Sequence, residues 1–405
     1  MRYTVADQAD TSERSDKAYA IAGLAGLALA MGVGRFALTP IFPLMQSEAS
    51  LSIAEGAWLA AGNYLGYLVG ALAAFGVSRR PSMLIRAALV VNAAATLGIG
   101  VTHTFAAWLA WRCIAGVASA FLLVFISAAC VQRLAPRGRP MLIAAVFSGV
   151  GAGIFAVGGL VFALDAFGVR SSGIWLVLGT LSLVLTVFVW PVFNERTDAA
   201  RGVPMTQRIA QRRLAWWPVI TSYGLLGFGY IVPATFLPIM AKSVVGDGWM
   251  FALAWPAFGF AAFVSTFAGA YAARHASGLG VWRTSQSVMA LGVALPALLP
   301  GLAPILAAAI CVGGTFMVIT MSAMQTATQF GAAHAKRLMA AMTAAFAAGQ
   351  LAGPVTVSWS IEPGTGFSKL LVTAAASLLV GALLLPRGRT AEHHACVDSI
   401  SRKAS

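Results

Sequence analysis

Two stretches of the chain share one spaced pattern: GVGRFALTPIFPLM over Gly32–Met45 and GFGYIVPATFLPIM over Gly227–Met240. Displaced by 195 residues, Gly32 falls on Gly227, Gly34 on Gly229, Pro43 on Pro238 and Met45 on Met240. A two-residue slip then brings Trp58 onto Trp255, Gly62 onto Gly259, Arg86 onto Arg283 and Gly116 onto Gly313. Matches kept in one order over this distance point to an internal duplication. Each copy also lies within an apolar run of helix length, so the number of such runs decides the fold.

The whole chain supports many of them. Of its 405 residues, 59% are apolar and only 10% charged, where a soluble globular chain is roughly a quarter charged. Mean hydropathy is +0.82. Spans of ~20 residues cross a bilayer core as helix, and punctuation by short polar segments predicts twelve of them. They fall at 18–45, 55–77, 82–101, 105–132, 140–164, 172–193, 215–241, 249–273, 280–299, 303–329, 338–361 and 367–386. The first apolar run continues past the small-residue triplet Ala28-Leu29-Ala30, so it reads as a retained span rather than a cleaved leader. The expected fold is therefore an all-α integral membrane protein of twelve transmembrane helices in two six-helix halves. Its parts are an N-terminal tail (1–17), a first half (18–193), a linker (194–214), a second half (215–386) and a C-terminal tail (387–405). Such a composition excludes a soluble enzyme, a disordered chain and a disulfide scaffold; Cys113, Cys130 and Cys311 fall in apolar runs and Cys396 in the tail.

The net charge of +14 can suggest nucleic acid, so the position of the cations matters more than their sum. With both termini on one side of the membrane, only Arg170, Lys242 and Lys369 fall in segments on the other side, and Arg35 and Arg112 fall inside spans. That leaves 22 of the 27 Lys and Arg on the side of the termini. Short cationic loops stay cytoplasmic, so both termini are expected in the cytoplasm of a bacterial inner membrane protein, and no nucleic acid is needed to explain the charge. Trp58, Trp108, Trp175, Trp190, Trp216, Trp249 and Trp282 lie near span ends, where interfacial anchoring is expected.

Two six-span halves joined by a basic linker resemble the major facilitator superfamily, over residues 18–386. The run Gly32-Val33-Gly34-Arg35-Phe36-Ala37 with Thr39-Pro40 and Pro43 resembles the YbfB/YjiJ-type bacterial branch. Arg112 and Gly116 are similar to the superfamily's R-x-x-x-G pattern in span four, and Gly149, Gly151, Gly153, Gly158 and Gly159 to its glycine-rich span five. The chain departs from the pattern at Ser78-Arg79-Arg80-Pro81, which lacks the usual aspartate. The resemblance implies a transporter that exposes a central site alternately to either side; it does not supply the substrate. With no nucleophile–base arrangement and no H-E-x-x-H motif in the chain, no catalysis is expected.

Arg35 and Arg112 are the sharpest candidates. A charge inside a span is costly and normally faces protein or a watery cavity. At about 1.5 Å per residue, Arg35 and Arg112 lie roughly 5 Å and 10 Å beyond mid-span on the same side. No Asp, Glu, Lys or His lies near the centre of any span, and guanidinium matches a carboxylate or phosphate with paired hydrogen bonds. The sequence thus offers two readings: the arginines bind the anionic group of a small solute, or they satisfy backbone carbonyls freed near Pro40 and Pro43 or line the packing between spans. Tyr230 stands in the register of Arg35 with Tyr223 on roughly the same helical face, as hydroxyl donors or as plain packing. Thr39, Asn63, Tyr67 and Gln325 complete the candidate substrate contacts. Met317 and Met321, in line with Gln325, read as packing.

Other matches carry less. Gly151-Ala152-Gly153 lacks the preceding strand that a dinucleotide fingerprint needs, and Gly62, Gly66 and Gly70 fit close helix approach. His393 and His394 beside Cys396 make no convincing metal set, so no metal and no cofactor are expected. Pro40, Pro43, Pro233, Pro238 and Pro256 predict bends in spans one, seven and eight. The expected protein is a monomeric, secondary-active or facilitative carrier of a small organic anion in the lipid bilayer. The alternatives are an exporter of amphipathic neutral or cationic compounds, or a non-transporting sensor.

Overall fold

The computed structural model describes residues 5–76, 81–193, 216–245, 254–328, 332–360 and 368–386. The linker 194–214, the Ser78-Arg79-Arg80 loop, Trp249, Asp247, Glu362 and the tail with His393, His394 and Cys396 lie outside the described residues. All regular structure among the described residues is helical. The order is α1 (Val5–Leu27), a π-helical turn (Ala28–Val33), α2 (Leu38–Ala49), α3 (Ile53–Gly76), α4 (Pro81–Val101), α5 (Phe105–Leu134), α6 (Pro140–Ala166) and α7 (Ser171–Val189). There follow α8 (Trp217–Val245), α9 (Ala254–His275), α10 (Gly278–Leu298), α11 (Leu302–Thr328), α12 (Ala332–Ser360) and α13 (Ser368–Leu384). Eight helical segments among the described residues are long and apolar enough to cross a membrane.

The first span differs from expectation twice. Residues expected as a tail join α1, which begins at Val5, because Lys17 pairs with Glu13 one turn away at 2.8 Å and Asp16 is anchored to the rest of the bundle. The Asp16 carboxylate is buried and meets Arg133 at 3.0 Å, Arg139 at 3.6 Å and also Arg137, which fastens α1 to the α5–α6 corner. The span is also not one helix. It breaks over Gly34–Ala37 between the π turn and α2, where Pro40 offers no N–H to the Phe36 carbonyl a turn earlier, while Pro43 lies inside α2. Ser50 then takes a left-handed conformation (φ 53) that reverses the chain. Ser52 and Glu55 cap α3 reciprocally: the Glu55 N–H donates to the Ser52 hydroxyl at 3.1 Å, and the Ser52 N–H to the Glu55 carboxylate at 2.8 Å.

The copy in span seven does not bend in the same way. Pro233 and Pro238 lie within the single helix α8, and Pro256 lies in the first turn of α9, where a missing N–H is no loss. Two of the expected interfacial tryptophans are core residues instead. Trp175 and Trp282 are buried, because their N–H groups find partners inside, the Met45 sulfur at 3.5 Å and the Gln286 carbonyl at 2.7 Å. Trp58 and Trp190 are exposed as expected.

The repeat-related arginines do matching work. Arg86 on α4 donates to the Trp190 carbonyl at 3.0 Å, at the end of α7. Arg283 on α10 donates to the Ala382 carbonyl at 3.3 Å and to Leu385, at the end of α13. Each therefore satisfies helix-terminal carbonyls that have no partner within their own helix. Close glycine contacts bring the helices together. A Cβ on Gly116 would lie 2.1 Å from the Asn63 carbonyl, and one on Gly313 2.2 Å from that of Phe258. A Cβ on Gly151 of α6 would lie 2.2 Å from the Phe263 nitrogen on α9, and one on Gly259 of α9 2.4 Å from that of Phe155 on α6. Helices α3 and α12 pack against each other, as do α6 and α9.

Candidate functional site

The break in the first span frees carbonyls in the middle of an apolar bundle, and the surrounding helices supply donors for them. Within the π turn the bonds run from residue i to i+5: Gly34 N–H to Leu29 at 3.0 Å and Phe36 N–H to Met31 at 2.9 Å. Asn92 of α4 donates to the Leu29 carbonyl at 3.1 Å, and Ser119 of α5 to that of Ala30 at 2.8 Å. Asn63 of α3 donates to the carbonyls of Gly34 at 3.2 Å and Arg112 at 3.0 Å. The approach explains the glycines of the quoted motif. A Cβ on Gly34 would lie 2.0 Å from the Asn92 side-chain oxygen, and one on Gly32 2.5 Å from the backbone of Gly153.

Arg112 belongs to this scaffold. It is 2% exposed, and it donates to the carbonyls of Arg35 at 2.9 Å, Gly34 at 3.2 Å and Leu59 at 3.4 Å. Of the two readings the sequence offered, the main-chain one describes its contacts. Its head group edges the cavity described below, and it reaches Arg35 through that residue's backbone.

Arg35 is different. It is 3% exposed, and its guanidinium lies 4.1 Å from the centre of the Tyr67 ring and 5.3 Å from those of Tyr64 and Phe36. One terminal nitrogen donates to the side-chain oxygen of Gln350 on α12. The Gln350 amide in turn donates to the Tyr230 hydroxyl on α8 at 3.0 Å. Arg35 and its repeat partner Tyr230 are thus joined through one glutamine. The Nε of Arg35 is buried with no hydrogen-bond partner. Among the described residues, the ion pairs found lie at the Asp16 end, and neither Arg35 nor Arg112 has a carboxylate partner. Cation–π contact offsets part of such a charge, about 0.5–2 kcal/mol, but supplies no counter-charge.

A small cavity opens beside Arg35, lined by Leu38, Thr39 and Phe42 of α2, Gly56, Ala60 and Tyr64 of α3, Arg112, and Thr235 of α8. Its free space is about 10 Å³, room for one water molecule. Tyr64 and Thr235 share a hydrogen bond across it at 3.0 Å.

Of the sequence-derived candidates, Arg35, Thr39, Tyr67, Arg112 and Tyr230 gather here, with Asn63 behind them as a backbone donor. Tyr223 lies further along α8, stacked on Phe346 at 4.9 Å and bonded to Thr320 at 3.4 Å. Gln325 lies apart: nine residues beyond Phe316, which touches Tyr230, it is roughly 13 Å further along α11. Sequence reasoning missed Gln350, Tyr64 and Thr235. Gln350 carried a readable signal, a lone amide within the small-residue stretch Ala344–Pro354.

The family described as "Uncharacterised MFS-type transporter YbfB" matches residues 27–386. Curated relatives named "Uncharacterized MFS-type transporter YcaD", from Escherichia coli strains HS and SMS-3-5, are 28% identical over 214 residues, 52% of this chain and 55% of theirs. The chain thus spans about half the length of the curated relatives it matches. The matched family region covers the broken first span, the buried arginines and the glycine-packed helices, and the chain belongs to the YbfB-type family of MFS transporters, as a multi-pass membrane protein.

Proposed function

We propose that this chain carries a small organic anion across the bacterial inner membrane, with Arg35 as the anion-binding group. One observation carries the reading: a buried guanidinium with an unpartnered Nε, no carboxylate facing it among the described residues, and a cavity at its side. An anion arriving there gains an attraction that is strong where water is excluded, and it competes with the neutral Gln350 oxygen for the same donor. Arg112 serves as the positioning residue, holding the Arg35 backbone. Thr39, Tyr67 and Tyr230 complete the contacts, with Asn63 as support; Tyr223 and Gln325 lie along the path on the second half.

The mechanism we infer is alternating access between two six-span halves, twelve spans in all, with both termini cytoplasmic and the carrier monomeric. Three observations support it. The contacts Arg35–Gln350 and Tyr64–Thr235 join the broken stretch of the first span and α3 to α8 and α12, α2 leans on α8, and Arg86 and Arg283 play equivalent parts 197 residues apart. A cavity of one water's size admits an organic solute only if these contacts part, which is what rocking of the halves supplies.

The test is counterflow in proteoliposomes with radiolabelled organic acids. Arg35→Gln abolishes exchange while detergent thermal stability stays measurable. Undiminished transport by Arg35→Gln, or dye efflux that organic acids fail to inhibit, favours the amphipathic exporter and overturns this reading.

A further inference from the structure

The aromatic side chains around Arg35 form a row that begins and ends on it. The guanidinium lies 5.3 Å from the Phe36 ring centre. Phe36 lies 5.9 Å from Trp255, Trp255 5.0 Å from Phe258, and Phe258 5.4 Å from Phe316. Phe316 lies 5.6 Å from Tyr230, whose hydroxyl accepts from Gln350, the partner of Arg35. Three of the ring pairs are near-parallel, with interplanar angles of 11°, 28° and 4° from Trp255 to Tyr230. These residues come from the first span and from α8, α9, α11 and α12, so the row crosses the whole centre of the bundle.

Two hydrogen-bond donors in this row lack acceptors. One is the Arg35 Nε and the other is the indole N–H of Trp255, a residue only 1% exposed. Both flank Phe36. A buried N–H without a partner costs free energy, and the pair specifies what would satisfy them: an anionic oxygen at Arg35 and a second acceptor near Trp255. The ring between the two donors is Phe36, tilted 58° to the Trp255 indole, and the stacked rings continue beyond Trp255. Such an aromatic surface favours a flat ring, since edge-to-face and offset-stacked ring pairs are worth more than the same area of saturated carbon.

We propose that the anion taken at Arg35 is a flat aromatic carboxylate with a second hydrogen-bond acceptor on its ring. Its carboxylate displaces the Gln350 oxygen from Arg35, its ring lies against the aromatic row, and its ring oxygen accepts from Trp255. The proposal rests on the anion reading of Arg35 and adds the chemistry of the rest of the ligand.

Calorimetric titration of the purified full chain with benzoate, 4-hydroxybenzoate and cyclohexanecarboxylate tests it. Cyclohexanecarboxylate has nearly the size and the same charge as benzoate but no aromatic face. The expected order is 4-hydroxybenzoate tightest, then benzoate, with cyclohexanecarboxylate weaker than benzoate by about tenfold. Trp255→Phe keeps a ring and removes the N–H, and it should bring 4-hydroxybenzoate and benzoate to equal affinity. Equal binding of benzoate and cyclohexanecarboxylate by the unmodified protein overturns the aromatic proposal and leaves the anion site standing. Failure of all three to bind overturns both. A preference for 4-hydroxybenzoate that survives in Trp255→Phe overturns the part assigned to the indole.

Discussion

Replacing Arg112 with Met separates its scaffold role from a direct ligand role. The side chain keeps its apolar bulk and loses three hydrogen bonds, to Arg35, Gly34 and Leu59. These losses are unequal. The Gly34 carbonyl keeps its bond from Asn63, and Leu59, within α3, keeps its place in the helical ladder. Arg35 precedes α2 in the broken stretch, so its carbonyl loses the donor that served it. One stranded buried carbonyl costs about 1–3 kcal/mol, and two shared bonds about 0.5–1.5 kcal/mol each. Hydrogen bonds in membrane proteins fall at the low end of such ranges, so the expected destabilisation is about 2–4 kcal/mol, several degrees in Tm. Thermal unfolding of the purified variant in detergent measures it. Binding of carboxylates should weaken in step, because the Arg35 backbone loses its tether. An unchanged Tm with anion binding abolished would refute the scaffold argument and make Arg112 a direct contact.

Two further substitutions probe neighbouring contacts. Gln350→Glu places a carboxylate where the amide oxygen meets Arg35; the internal pair should weaken carboxylate binding at least ~10-fold with no loss of Tm, since a buried charge pair excludes a competing anion. Titration with benzoate reads this, and undiminished binding contradicts it. Gly116→Ala would put a Cβ 2.1 Å from the Asn63 carbonyl and 2.9 Å from the Tyr67 nitrogen, forcing α3 and α5 apart at a cost of about 1–3 kcal/mol. Gly159→Ala, where nothing lies within 4 Å, is its control, and both are compared by thermal shift.

Much of the helix pattern could be read from the sequence, because lipid-facing and core-facing positions alike must be apolar and polar residues can only punctuate. Arg35 and Tyr230, matched in register, meet through Gln350, and Arg86 and Arg283, matched likewise, make the same kind of contact, because positions matched along two spans lie at matching depths. The role of Arg112 could not be read in the same way. Whether a buried guanidinium meets a ligand or the main chain depends on which carbonyls the neighbouring helix leaves open, and the π turn at Ala28–Val33 has no distinctive residue type to announce it. Gln350 escaped for a related reason. An amide in a small-residue helix is as easily a packing contact as a site, and only its position opposite Arg35 distinguishes the two. Trp175 and Trp282 were misplaced because proximity to a span end gives depth but not azimuth.

The π turn also fixes which way Arg35 points. Such a turn holds one residue more than an α-turn over nearly the same rise, so annealing it to regular helix would swivel all that follows by about 100° and draw it along by ~1.5 Å. Arg35 lies just past the turn and is the first charged group that this swivel would carry. The side chains of Asn92 on α4 and Ser119 on α5, bonded to the Leu29 and Ala30 carbonyls, are the pins that hold the present setting. The backbone setting from which the Arg35 guanidinium reaches Gln350 is thus pinned like a compass mount by α4 and α5.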